Sequence, residues 1–225
     1  RQGRRGVRGA HAAARSRPRL TVLAPPNNPT SNSPDPAVME RYLAASSGVV
    51  VIDEAYFSFS AKTFLPYLNK HRNMIILRTL SKIGLAGLRI GVLPASREIT
   101  AQPNKIRLPY NINTLSQAAG LAALRHGSTL NAQISLLISE RRKLYNALLR
   151  TPGATPFPTE TNFILLWIEK DATRVFQALK KRGILVKNLD RPGPLKGCLR
   201  VTIGTPAENR EFLKELKNIL TTDKH

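Results

Sequence analysis

Cysteine is almost absent from this sequence, Cys198 being the only one. A disulfide framework and a CxxC metal site are both excluded, and a reducing, cytoplasmic setting is the expectation. No run of 18 apolar residues occurs, so no membrane span is expected. Histidine is scarce too. His11, His71, His126 and His225 are scattered without ligand spacing, and no zinc site is expected. Acidic residues number only 14 against 35 Lys and Arg, a formal net charge of +21.

Such a charge ordinarily points to nucleic acid, but its placement argues otherwise. Residues 1–20 hold seven arginines and no acid, a third of the whole excess. The rest is spread over helical patterns in which acids also occur. No aromatic residue is interleaved in the basic segment to stack on bases, so nucleic acid is not the expected partner. Residues 1–19 show neither helical nor strand periodicity and are expected to be disordered. Three readings of them stay open: a basic arm, an Arg- and Ala-rich transit-like peptide, and an inert or frame-shifted tail.

With 225 residues and 42% hydrophobic content, the chain is long enough for one large domain or two small ones. From Leu20 onward the punctuation is regular. "LTVLA" reads as a short buried strand, followed by a Pro/Asn turn and a helix opening near Asp35-Pro36. "GVVVID", "NMIILRT" and "GLRIGVL" read as three further strands, separated by helical patterns at 60–70 and 96–106. Strands alternating with helices predict a mostly parallel sheet covered on both faces, an α/β fold. Residues 113–150 read as two helices, the second capped by Ser128 or Thr129 and ended by Thr151-Pro152-Gly153. The rhythm then changes to strand "NFILLWI", a helix over 172–182, strands "ILVK" and "CLRVTIG", and a helix from Pro206. The predicted organisation is a basic segment 1–19, a partial large domain 20–127, a connecting helix 128–150 and a small α+β domain 151–225.

In a parallel sheet, functional residues sit at the carboxyl ends of the strands. Three polar clusters fall there. "PPNNPT" carries Asn28, "DEAY" carries Asp53 and Tyr56, and "RTLSK" carries Lys82. Each alone has an ordinary explanation: a turn residue before proline, a helix cap, a solvated lysine. Together they predict one crevice holding Asn28, Asp53, Tyr56 and Lys82.

"PNNPT", "VVVIDEAYFSF", "RTLSKIGLAGLRIG", "RLPYNINTLSQAA" and "GCLRVTIGT" occur in that order. In these motifs the chain resembles the fold-type I aminotransferases of classes I and II, which depend on pyridoxal 5′-phosphate (PLP). Within them the resemblance is strongest to the histidinol-phosphate aminotransferase family, and it runs from about Leu20 to the C-terminus. It implies transfer of an amino group from histidinol phosphate to 2-oxoglutarate, a step of histidine biosynthesis. Other PLP enzymes of the same fold remain alternatives: aromatic or aspartate aminotransferases and threonine-phosphate decarboxylases. A non-catalytic, basic nucleic-acid-binding protein is a weaker one, because it leaves the strand-end motifs unexplained.

What the resemblance implies for single residues is specific. Lys82 would join the cofactor covalently and then carry the proton. Asp53 would pair with the pyridine nitrogen, so that the ring can draw electrons. Asn28 and Tyr56 would bond the phenolic oxygen. Thr79, Ser81 and Arg89 would hold the cofactor phosphate. Arg200 would clamp the substrate carboxylate, a planar match that lysine could not reproduce. Asn162 would lie near that carboxylate, and Lys187 would meet the phosphate of a phosphorylated amino alcohol.

The resemblance also implies a longer protein that is a homodimer. The family's N-terminal third supplies an arm to the partner subunit, a glycine-containing phosphate loop and a ring that stacks on the pyridine. None of these has a counterpart in residues 1–20, so the chain is expected to be a fragment. The family's "NPTG" is "NPTS" here, placing Ser31 where glycine eases the turn.

Overall fold

The computed structural model describes residues 17–222. The segment expected to be disordered, 1–19, lies outside the described residues but for its last three. The chain divides into two compact units, one comprising the chain up to Asn27 with Ser33–Leu130, the other Asn28–Asn32 with the chain from Asn131.

The first unit is built on β1 (Leu20–Leu23), β2 (Val49–Asp53), β3 (Met74–Thr79) and β4 (Gly91–Val92), in that order across one sheet. β1 runs parallel to β2, with Leu23 opposite Ile52, and β2 parallel to β3, with Asp53 opposite Leu77. Helix α1 (Pro36–Ala45) starts where Asp35 caps it, its Oδ1 accepting from the Ala37 N–H at 2.8 Å, with proline at the first helical position. Met39, Tyr42 and Leu43 of α1 pack on Val50, Ile52, Met74 and Ile76 of the sheet, and Phe64 closes that core. Gly48 precedes β2 for a steric reason. A Cβ there would strike the Pro18 carbonyl oxygen and come within 2.7 Å of the Arg19 oxygen.

The strand "GLRIGVL" is only partly realised. β4 has two residues and pairs antiparallel to β3, Arg78 opposite Val92 and Thr79 opposite Gly91. The preceding residues are spent on a 3-10 turn over Ala86–Leu88 that ends with Arg89 in the left-handed region at φ 57°. The helical pattern at 60–70 likewise resolves into a short helix α2 (Phe57–Ser60) and a 3-10 turn at Leu65–Asn69. Burial alternates along β2 and β3 instead of running continuously, so one sheet face is covered more fully than the other among the described residues. α3 (Arg97–Ile106) and α4 (Thr114–Arg125) follow, capped by the Ser96 and Asn113 side chains.

Helix α5 (Gly127–Leu149) opens at Gly127, just before the expected Ser128 or Thr129 cap, and leads into the second unit. There β5 (Ala154–Pro156), β6 (Phe163–Ile168), β7 (Lys187–Asn188) and β8 (Cys198–Thr202) form an antiparallel sheet in the order β5-β6-β8-β7. "ILVK" thus contributes only its last residue to a strand. α6 (Ala172–Lys181) and α7 (Pro206–Thr222) complete the unit. Leu144 and Leu148 of α5, Leu179 of α6 and Leu216 of α7 pack with Ile164, Leu166 and Leu199 of the sheet in one core.

Candidate active site

In the first unit, β2 delivers Asp53 as its last residue, and one carboxylate oxygen accepts from the Ala55 N–H at 2.9 Å. That bond turns the chain away from the sheet, so Tyr56, 7% exposed, caps the short α2. β3 delivers Thr79. The Thr79 hydroxyl lies 2.9 Å from the Ser81 hydroxyl and accepts from the Ser81 N–H at 3.0 Å. A 3-10 turn over Ser81–Ile83 follows, ended by Gly84 at φ 92°. It lifts Lys82 so that its Nζ stands 5.4 Å from the centre of the Tyr56 ring. Asp53, Tyr56, Thr79, Ser81 and Lys82 are therefore all borne on the carboxyl ends of two paired parallel strands. Arg89 is exposed, and its Nη1 donates to the Ala86 carbonyl at 3.5 Å. It is tied to the group through its neighbour, since the Ile90 carbonyl accepts from the Leu80 N–H at 3.2 Å.

The second unit holds the remaining residues. Arg200 on β8 stands directly opposite Lys187 on β7, which puts two cations on one face of the sheet. The Arg200 guanidinium lies over the Phe163 ring at 5.1 Å, and its Nη1 donates to Asn28 Oδ1 at 2.8 Å. Arg200 Nε is buried without a hydrogen-bond partner. Asn162 is fixed through its backbone, its carbonyl accepting from the Ile203 N–H at 2.9 Å. Asn28, expected beside Asp53, Tyr56 and Lys82, belongs to this second unit by its contacts.

The motif reading passed over Glu54, Thr63, Phe57 and Arg78. Glu54 is buried and takes hydrogen bonds from Arg78 Nε at 3.0 Å, Arg78 Nη2 at 2.9 Å, and the Phe64 N–H at 2.6 Å. An acid and a base at the ends of adjacent apolar runs, "VVVIDE" and "MIILR", were the available signal.

The first unit thus carries a lysine at the end of a parallel α/β sheet, and the second is an antiparallel α+β unit. The family model for aminotransferase class I and II matches residues 8–216, and the chain belongs to that family. A histidinol-phosphate aminotransferase of Methylibium petroleiphilum is 44% identical over 214 residues, covering 93% of this chain and 57% of that relative. The chain thus spans a little over half of the relative's length. The crystal structure of histidinol-phosphate aminotransferase from Sinorhizobium meliloti in complex with pyridoxal-5′-phosphate superposes with TM-score 0.83 at 27% identity, over 95% of this chain and 60% of that one. The fold is also that of the histidinol-phosphate aminotransferase from Clostridium acetobutylicum, with TM-score 0.87 at 20% identity, covering 94% of this chain and 66% of that one.

The donor set of the first unit suits PLP. It offers the groups PLP requires: a primary amine for the aldehyde, a strand-end carboxylate for the ring nitrogen, and clustered hydroxyls for the phosphate.

Proposed function

We propose that the protein of which this chain is part is a PLP-dependent aminotransferase, moving the amino group of histidinol phosphate to 2-oxoglutarate to give imidazole acetol phosphate and glutamate. The observation that carries this reading is the placement of Lys82 over Tyr56, on strand ends shared with Asp53 and Thr79. When bound, PLP supplies an electrophilic aldehyde and an electron-withdrawing ring. Lys82 would hold the cofactor covalently through Nζ, and its freed amine would take the proton from the substrate Cα. The Asp53 carboxylate would accept a hydrogen bond from the ring nitrogen. Tyr56 Oη would donate to the phenolic oxygen, while Thr79, Ser81 and Arg89 would bind the phosphate.

In the second unit, Arg200 grips the carboxylate of glutamate and 2-oxoglutarate with a planar fork, with Asn162 beside it. The opposed Lys187 offers a point charge to the phosphate of the amino donor. Two cations on adjacent strands repel each other, and an anionic substrate relieves that repulsion. Relatives bearing the name histidinol-phosphate aminotransferase support the choice of donor. We place the enzyme in the cytoplasm and take it to be a homodimer. The strongly exposed Leu108, Tyr110 and Leu115 support a covered surface in the complete protein.

The test is a panel of amino donors offered with 2-oxoglutarate and PLP, read as glutamate formed. Histidinol phosphate is expected to give the highest kcat/KM. Turnover of an aromatic amino acid or aspartate with none of histidinol phosphate would overturn the substrate, and carbon dioxide released from threonine phosphate would overturn the reaction.

A further inference from the structure

We propose that Arg78, joined to Glu54, Thr63 and Phe57, is the positioning hub that holds Asp53, Tyr56 and Thr79 in place. The inference rests on the roles assigned above to Lys82 and Asp53, and it concerns residues that touch neither cofactor nor substrate.

Arg78 is held by a carboxylate, a hydroxyl and an aromatic ring. Its Nε and Nη2 donate to Glu54 Oε2 at 3.0 and 2.9 Å, and Nη2 also donates to the Thr63 hydroxyl at 2.7 Å. The same hydroxyl donates to the Glu54 carboxylate at 3.0–3.1 Å, which completes a triangle. The guanidinium carbon lies 3.8 Å from the centre of the Phe57 ring, a stacking distance. The Glu54 side chain is fully buried and that of Arg78 is 26% exposed. A carboxylate so buried is tolerated only when its lone pairs are met, and here two separate segments meet them, that of Thr63 with Phe64 and that of Arg78.

The position of this cluster in the fold is what gives it a function. The β2–β3 ladder ends with the bond from the Glu54 N–H to the Leu77 carbonyl at 2.8 Å. Beyond that bond β2 turns away into α2, while β3 pairs with β4 instead. Past Asp53 the β2–β3 ladder does not continue among the described residues. The side-chain cluster takes over at that point. Three of its four members are sequence neighbours of site residues: Glu54 of Asp53, Phe57 of Tyr56, and Arg78 of Thr79. One guanidinium therefore ties the ring-nitrogen carboxylate, the aromatic ring under the lysine and the first phosphate hydroxyl into one rigid frame. Preorganisation of this kind is what supporting residues contribute to a site.

Arg78 suits this role and lysine would not. A fork of fixed donors reaches Glu54 and Thr63 together and still stacks flat on Phe57, whereas an ammonium does one of these at a time.

The experiment compares the parent chain with Arg78→Lys, Thr63→Val and Thr63→Ser, all checked by circular dichroism. PLP affinity is measured by equilibrium dialysis, and the pH midpoint of the visible band by titration. The bond to Lys82 is located by borohydride reduction and peptide mass. Arg78→Lys and Thr63→Val are expected to weaken PLP binding by about ten- to a hundredfold, as when a supporting partner is removed from a ligand, and to shift the pH midpoint. Thr63→Ser, which keeps the hydroxyl, is expected to match the parent. A merely structural cluster would lower the thermal midpoint and leave PLP affinity and pH midpoint at parental values, and that result overturns the hub. Should Arg78→Lys not fold, the Thr63 pair decides alone. A parent chain that forms no bond at Lys82 overturns the reading of the site itself, and the hub with it.

Discussion

Ser31 is a residue out of keeping with its conformation. It follows the Asn28-Pro29 turn at φ 57°, a left-handed region that costs an L-residue roughly 1–2 kcal/mol. It is also fully buried, and its hydroxyl has no hydrogen-bond partner. Only its backbone is used, the carbonyl accepting from the Glu160 N–H at 2.8 Å. Glycine removes both the strain and the orphaned hydroxyl, at the cost of more chain entropy in the unfolded state. Ser31→Gly is therefore expected to stabilise the second unit by about 1 kcal/mol, a rise of roughly 2–4 °C in thermal midpoint. A lower midpoint would mean that the buried hydroxyl is satisfied in solution. At this scale the sequence was informative where chemistry stands beside an apolar run. Asp53, Tyr56 and Lys82 were expected together because each lies at a strand's end or within three residues of it, and the structure sets them on the ends of β2 and β3. Glu54 and Arg78 were not, because their pairing exists only once Asp53 stands opposite Leu77.

Secondary-structure elements were readable in proportion to their own periodicity. The strands "GVVVID", "NMIILRT" and "NFILLWI" and the long α5 carry their pattern within themselves, and they stand where it placed them. β4 and β7 do not, since two-residue strands owe their existence to a longer neighbour. Contacts between helices were equally hidden, and Glu140 shows why they matter. It lies buried on α5, where it takes hydrogen bonds from Lys143 Nζ at 2.8 Å and from Asn209 Nδ2 of α7 at 3.2 Å. These bonds, that of Lys143 foremost, hold its carboxyl below the ordinary carboxylate range. A folded value below the unfolded one means that the charged form stabilises the fold above about pH 4. That contribution is lost as pH falls through the depressed folded value. Glu140→Gln is expected to lower stability at neutral pH by on the order of 1 kcal/mol, a modest figure because Lys143 is largely exposed. Thermal melts from neutral to acid pH should show the parent and the variant converging. A constant difference across that range would remove Glu140 from the acid response.

For the whole molecule, the sequence reading expected a partial α/β domain and a small α+β domain, and the described residues form two hydrophobic cores. The fold class followed from the order of elements, which periodicity carries. The distribution of site residues between the units did not, because Asn28 follows β1 in the chain yet makes its contacts with the second unit. Net charge was the poorest guide. A value of +21 describes the chain as a whole, while the proposed chemistry depends on a few cations at defined positions, Lys82, Lys187 and Arg200. Of these, Lys82 alone is required to be a primary amine, since arginine cannot supply a neutral nitrogen. The most direct measurement is to add PLP to the chain, reduce with borohydride, digest, and locate the pyridoxyl mass, with Lys82→Ala in parallel. The predicted result is a single label on the peptide bearing Lys82, absent from the Lys82→Ala digest. A label shared among surface lysines, or one that persists in Lys82→Ala, would contradict it.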